Sequence, residues 1–176
     1  MSEYYWAGIA VVASHFEIRV QHLSVGDEYC LDGSAMLEPL ETWCDSDAGM
    51  NPFLMAKVED YVTALLAGNA AAFIRESEER CQLKKSFGEG GLEMKFLRKV
   101  WQCLQPEPDR AAAIIVGFLG EYDDGDIEAT VRRLWHRAVR ILRQPKRHKQ
   151  LKALADALCR TIEMTDEDVV RVLDRA

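Results

Sequence analysis

Between Ala129 and Lys152 the chain carries nine Lys and Arg residues and not one Asp or Glu. Any fold must leave Arg132, Arg133, Arg137, Arg140, Arg143, Lys146, Arg147, Lys149 and Lys152 within reach of water or an anion, because unpaired charge is not carried into a core. The surroundings have the opposite sign. Residues 1–60 sum to −9, 61–128 to −4 and 153–176 to −3, against +9 for residues 129–152 and −7 for the whole chain.

At about 100° per residue, Ile127, Val131, Leu134, Ala138, Ile141 and Leu142 gather on one helix face with Trp135 at its edge. Arg132, Arg133, Arg137, Arg140 and Arg143 fall opposite. The pattern predicts a helix capped by Asp126 and running through Gln144, its apolar side docked on a core. Pro145 then opens a second helix, predicted to run through Met164.

That division puts Lys146, Arg147 and Lys149 in the first turn of a helix, where the dipole disfavours each cation by roughly 0.3–1 kcal/mol. Arg133, Arg137 and Arg140, three and four residues apart, repel where opposite charges would attract by about 0.2–0.5 kcal/mol per pair. An anion is expected to offset these costs. Inside the chain it could be the acidic stretch Asp27 to Asp47, or the turn holding Asp123, Asp124 and Asp126. Outside the chain it would be a nucleic-acid backbone or an acidic protein surface. Six Arg against three Lys tilts the balance outward, since Arg is favoured where phosphate or carboxylate is recognised.

In the rest of the chain, Tyr5, Ile9, Val12, Phe16, Val20 and Leu23 predict a first helix, with two strands as the rival because Phe16, Ile18 and Val20 also alternate. Residues 24–51 are acidic and irregular, with at most a short helix near Ala35 to Trp43. Asn51 and Pro52 open a helix that Gly68 is expected to end, and Asn69 caps the next through Phe73, Ile74 and Cys81. Beyond the loop Ser86 to Gly91, helices are predicted through Met94, Leu97, Trp101 and Leu104 and from Asp109 to Tyr122. Thr165 and Asp168 have the spacing of a capping box for a last short helix. The expected fold class is all-α: one compact domain over residues 1–176 with seven or eight helices, any short β structure lying near the N-terminus.

An apolar content of 48% with 29% charged residues fits a folded, soluble protein. The five cysteines, Cys30, Cys44, Cys81, Cys103 and Cys159, form no C-x-x-C pair, which fits reduced thiols and a cytoplasmic setting. The start lacks the basic region of a signal peptide, and the apolar run from Tyr4 to Ala13 is far short of a membrane span.

Arg143 and His148 have a spacing similar to the Arg-x(4–6)-His motif of the all-helical HEPN-domain ribonucleases. That resemblance implies RNA cleavage with His148 assisting proton transfer. It covers six residues, with Gln144 and Pro145 in between. His15, His22, Cys30 and Cys44 could be drawn as a zinc set but match no standard ligand spacing. The Gly88, Gly90, Gly91 loop lacks the strand and the Lys-Ser/Thr of a phosphate loop. No nucleophile elbow is present. The leading expectation is a binding protein or small subunit of a larger assembly, without cofactor or metal. It would meet a polyanion, a nucleic-acid backbone, through Arg132, Arg133, Arg137, Arg140, Arg143, Lys146, Arg147 and Lys149. The alternative is an inhibitor or immunity-type protein that blocks a basic target with Glu38, Glu41, Trp43 and Asp45.

Overall fold

The computed structural model describes residues 2–25, 34–39, 52–84, 114 and 124–176. Five helices and three short strands make up these residues: α1 (Ser2–His15), β1 (Val20–Ser24), β2 (Ser34–Leu37), α2 (Pro52–Lys84), α3 (Asp124–Leu142), α4 (Pro145–Leu158), β3 (Glu163–Thr165) and α5 (Asp166–Arg175). The fold is mostly helical, with a small sheet rather than helices alone. The expected count of seven or eight helices is not met among the described residues. The predicted helices around Met94 to Leu104 and Asp109 to Tyr122, and the glycine loop before them, lie outside those residues.

Helix α1 is buried without a break from Ala7 to Ala13, which makes it the central rod. It packs on α2, α3, α4, β1 and β2. Small residues allow the closest approach: a Cβ added at Gly8 would stand 2.5 Å from the Ala67 carbonyl oxygen and 2.5 Å from the Ala71 Cβ. The helix is shorter than the period from Tyr5 to Leu23 predicts. It stops at His15, and Glu17 takes a left-handed φ of 60° that turns the chain into β1. The alternation at Ile18 and Val20 is thus the true signal there, and His22 lies on a strand rather than on the first helix.

Helix α2 runs uninterrupted through Gly68 and Asn69, where a stop and a new cap were expected. Gly68 is small because Tyr5 lies on it: a Cβ there would meet the ring at 2.7–2.9 Å. Asn69 is buried inside the helix and caps nothing. Gly68 is set by packing, which overrides the local helix-ending tendency of glycine.

The sheet has the order β2-β1-β3, both pairings antiparallel. Leu23, opposite Ala35 on one side and Met164 on the other, points into the core. Met36, Thr165 and Glu163, one step out of phase, are exposed, as period-two alternation requires. β2 occupies residues expected to be helical near Ala35. β3 and the turn before it end α4 at Leu158, six residues short of Met164. Thr165 and Asp168 form the expected capping box at the start of α5: the Thr165 hydroxyl accepts from the Asp168 N–H, and Asp168 Oδ2 accepts from the Thr165 N–H at 3.3 Å. Among the described residues no helix is long and apolar enough to cross a membrane.

Candidate functional site

Helix α3 presents Val131, Leu134, Trp135, Ala138, Val139, Ile141 and Leu142 to the core, and Trp135 meets the Phe73 ring edge-on at 5.3 Å. Each fully buried side chain of this size contributes about 1.5–3 kcal/mol. The helix begins at Asp124, ahead of the expected Asp126 cap, and Leu142 ends it two residues before Gln144. Pro145 opens α4, so the two basic halves meet at a corner.

Eight of the nine cations divide into two sets, and Arg147 stands apart from both. Along α2, Glu59 and Asp60 face α3. Arg133 makes two hydrogen bonds to Glu59, at 2.7 and 3.3 Å, and the bonded carboxylate holds the guanidinium pKa above its usual value. Arg137 pairs with Asp60 at 2.8 Å and stacks over the Phe16 ring at 4.6 Å. Near the other end of α2, Glu78 receives both His148 Nε2 at 3.0 Å and Lys152 Nζ at 3.5 Å. Arg132 is held by Glu128 of its own helix. Exposed pairs of this kind contribute only about 0.2–1 kcal/mol, but they commit these side chains to the chain's own acids.

The second set lies at the corner. Arg140 in the last turn of α3, Arg143 in the break, and Lys146 and Lys149 in the first turns of α4 are all exposed, and among the described residues no acid pairs with them. Arg140 and Arg143 complement the dipole of α3, whereas Lys146 and Lys149 oppose that of α4. The α4 start offers no relief: its first turn holds no acid, and Gln144 makes no side-chain cap.

Arg147 is half-buried and turns inward. Its Nη1 donates to Gln150 Oε1 at 2.9 Å and its Nη2 to His15 Nδ1 at 3.1 Å, two neutral acceptors. Gln150, 3% exposed, passes the connection on by donating from Nε2 to the Leu173 carbonyl oxygen at 2.7 Å. One polar chain thus joins α1, α4 and α5. Burial, then the nearby Arg147 and Arg137 charges, push the His15 pKa below its usual value against the pull of Asp60.

The remaining candidate residues are not brought together with these. No hydrogen bond or ion pair links Arg143 to His148 among the described residues; they stand on either side of Pro145, and His148 is engaged with Glu78. Glu38 is half-buried, its N–H donating to the Arg19 carbonyl at 2.8 Å, while Glu41, Trp43 and Asp45 lie outside the described residues, as do Cys30 and Cys44 of the zinc set. Among the described residues no cluster of three metal-ligating side chains is present. Sequence reasoning passed over Glu59, Asp60 and Glu78, which nothing local distinguishes from solvated acids. It also passed over Gln150, a polar residue beside the apolar positions Leu151 and Leu154, and that misplacement was its visible signal.

No protein-family model matches this sequence, and no curated protein is similar to it.

Proposed function

We propose that the protein is a non-enzymatic binding protein or small subunit of a larger assembly that holds a nucleic-acid backbone on the corner between α3 and α4. One observation carries the reading: Arg140, Arg143, Lys146, Arg147 and Lys149 are grouped with no acid of the described residues paired to them, while Arg133, Arg137 and Lys152 are so paired. Arg140, Arg143, Lys146 and Lys149 face outward and Arg147 lies inward beside them. Lys146, Arg147 and Lys149 stand in the opening turns of a helix whose dipole opposes them, a deficit that phosphates offset. Arginine adds bidentate geometry to the charge. Its setting in this reading is the cytoplasm, where the exposed Cys159 remains a thiol.

The test is charge reversal read by fluorescence anisotropy on labelled RNA and DNA at low salt. Arg140→Glu with Arg143→Glu abolishes binding, whereas Glu59→Gln, which releases Arg133, does not reduce it. Equal loss from reversal at Arg133 and at Arg140 defeats the assignment to the corner. Retention of an acidic protein in place of nucleic acid moves the same corner to a different partner. Fragmentation of the labelled RNA that His148→Ala removes replaces binding with the ribonuclease reading.

A further inference from the structure

We propose that protonation of His15 is a switch for the basic corner: it expels Arg147 from its inward bond and turns the guanidinium out beside Lys146 and Lys149. The inference rests on the nucleic-acid reading above and gives that site a regulator. Its basis is the 3.1 Å contact between Arg147 Nη2 and His15 Nδ1. A guanidinium only donates, so Nδ1 must be the accepting, unprotonated nitrogen and the neutral ring carries its proton on Nε2. A proton taken from solvent can bind only at Nδ1. The bond then ceases to exist, and two cations face one another across the gap.

The groups around the ring decide what yields. From α2 comes the Asp60 carboxylate, from α3 Arg137 and from α4 Arg147. β1 brings His22 as its one titratable residue and β2 brings none. Asp60 cannot absorb the new charge alone, because Arg137 already occupies it at 2.8 Å. Arg137 is further fixed by the Phe16 ring. Arg147 has no acid to hold it, only Gln150 and the ring itself, and its backbone sits where α4 emerges at the corner. It is the member free to leave. Burial and the two arginines keep the ring neutral near neutral pH, so the corner gains its fifth outward cation only on acidification.

The salt dependence of binding to oligothymidylate about 20 residues long reads the number of phosphate contacts directly. Between about pH 7.5 and about pH 5 the slope of log K against log salt steepens by about 0.7 more in the wild type than in His15→Asn, which keeps an acceptor near Nδ1 but does not titrate. The other histidines are common to both proteins, so whatever they contribute cancels in that comparison. Arg147→Gln shows no such increment. An identical pH response in wild type and His15→Asn overturns the switch. Nitrogen-15 NMR of the wild type without ligand provides a second readout, since the Arg147 Nε signal moves along the His15 titration curve. If that coupling is seen but oligothymidylate fails to bind at any pH, the switch stands and the nucleic-acid reading falls. An Arg147 signal indifferent to His15 titration overturns the switch whatever binds.

Discussion

Gly8 of α1 and Ala71 of α2 approach so closely that a Cβ on the glycine would lie 2.5 Å from the Cβ of the alanine. The same added atom would stand 2.5 Å from the Ala67 carbonyl oxygen, which belongs to the backbone and cannot rotate away. Alanine is the better helix former by about 0.8–1 kcal/mol, so propensity alone would make Gly8→Ala stabilising. The clash decides otherwise. Overpacking at such a contact costs about 1–3 kcal/mol or more, and chemical denaturation is expected to show a net loss for Gly8→Ala.

At Gly68 the obstacle is the Tyr5 ring, a side chain. Gly68→Ala is expected to be destabilising as well, and combining it with Tyr5→Leu is expected to recover part of the loss. Gly8→Ala gains nothing from Tyr5→Leu. A double-mutant cycle on the melting temperature separates the two.

The His15 environment also sets a pH dependence of stability. Its folded pKa lies below the unfolded value near 6.5, so the unfolded chain takes up the proton first. Stability from this group is complete above about pH 6.5 and is lost as pH falls from there toward the folded pKa. Thermal unfolding of the wild type is expected to show this slope, and His15→Asn to flatten it.

Asp168 acts lower on the scale. The Thr165 hydroxyl and N–H hold its carboxyl below the usual value, with Arg171 adding to the effect. Its contribution is present above the ordinary Asp pKa and disappears as pH falls through the depressed one. Thr165→Ala removes the cap and is expected to cost about 1 kcal/mol, whereas Thr165→Ser retains most of it. Urea midpoints for the two variants check this.

Binding through the corner has its own signature. Arg140, Arg143, Lys146 and Lys149 facing phosphates give a slope of log K against log salt of roughly −3 on a single strand. Titrations at several salt concentrations measure it. A slope near zero is incompatible with phosphate contacts.

How much of this could be read beforehand depended on whether the decisive partner was local. The apolar stripe of α3, the break at Pro145 and the Thr165–Asp168 box are local, and the structure has them. The end of α1 was hidden because Glu17, not glycine or asparagine, takes the left-handed conformation there, so no stop signal marks it. Gly68 and Asn69 imitated a helix end because the ring that requires the glycine comes from Tyr5, in another helix. β3 is three residues long, too short for any alternation to register. The basic stretch was evident at once, but its division into committed and uncommitted cations was not. Glu59, which engages Arg133, lies 74 residues away.

The middle place of β1 in its sheet bears on how the chain folds. β1 can pair with β2 early, but its other edge waits for β3, and the Arg19–Asp166 ion pair at 2.6 Å joins residues 147 apart in sequence. Closing so long a loop is slow, since its entropy is lost before the contacts repay it. While the chain is still being synthesised, β1 keeps one edge open until residues 163–165 emerge, and a chaperone or a second strand could occupy it in that interval.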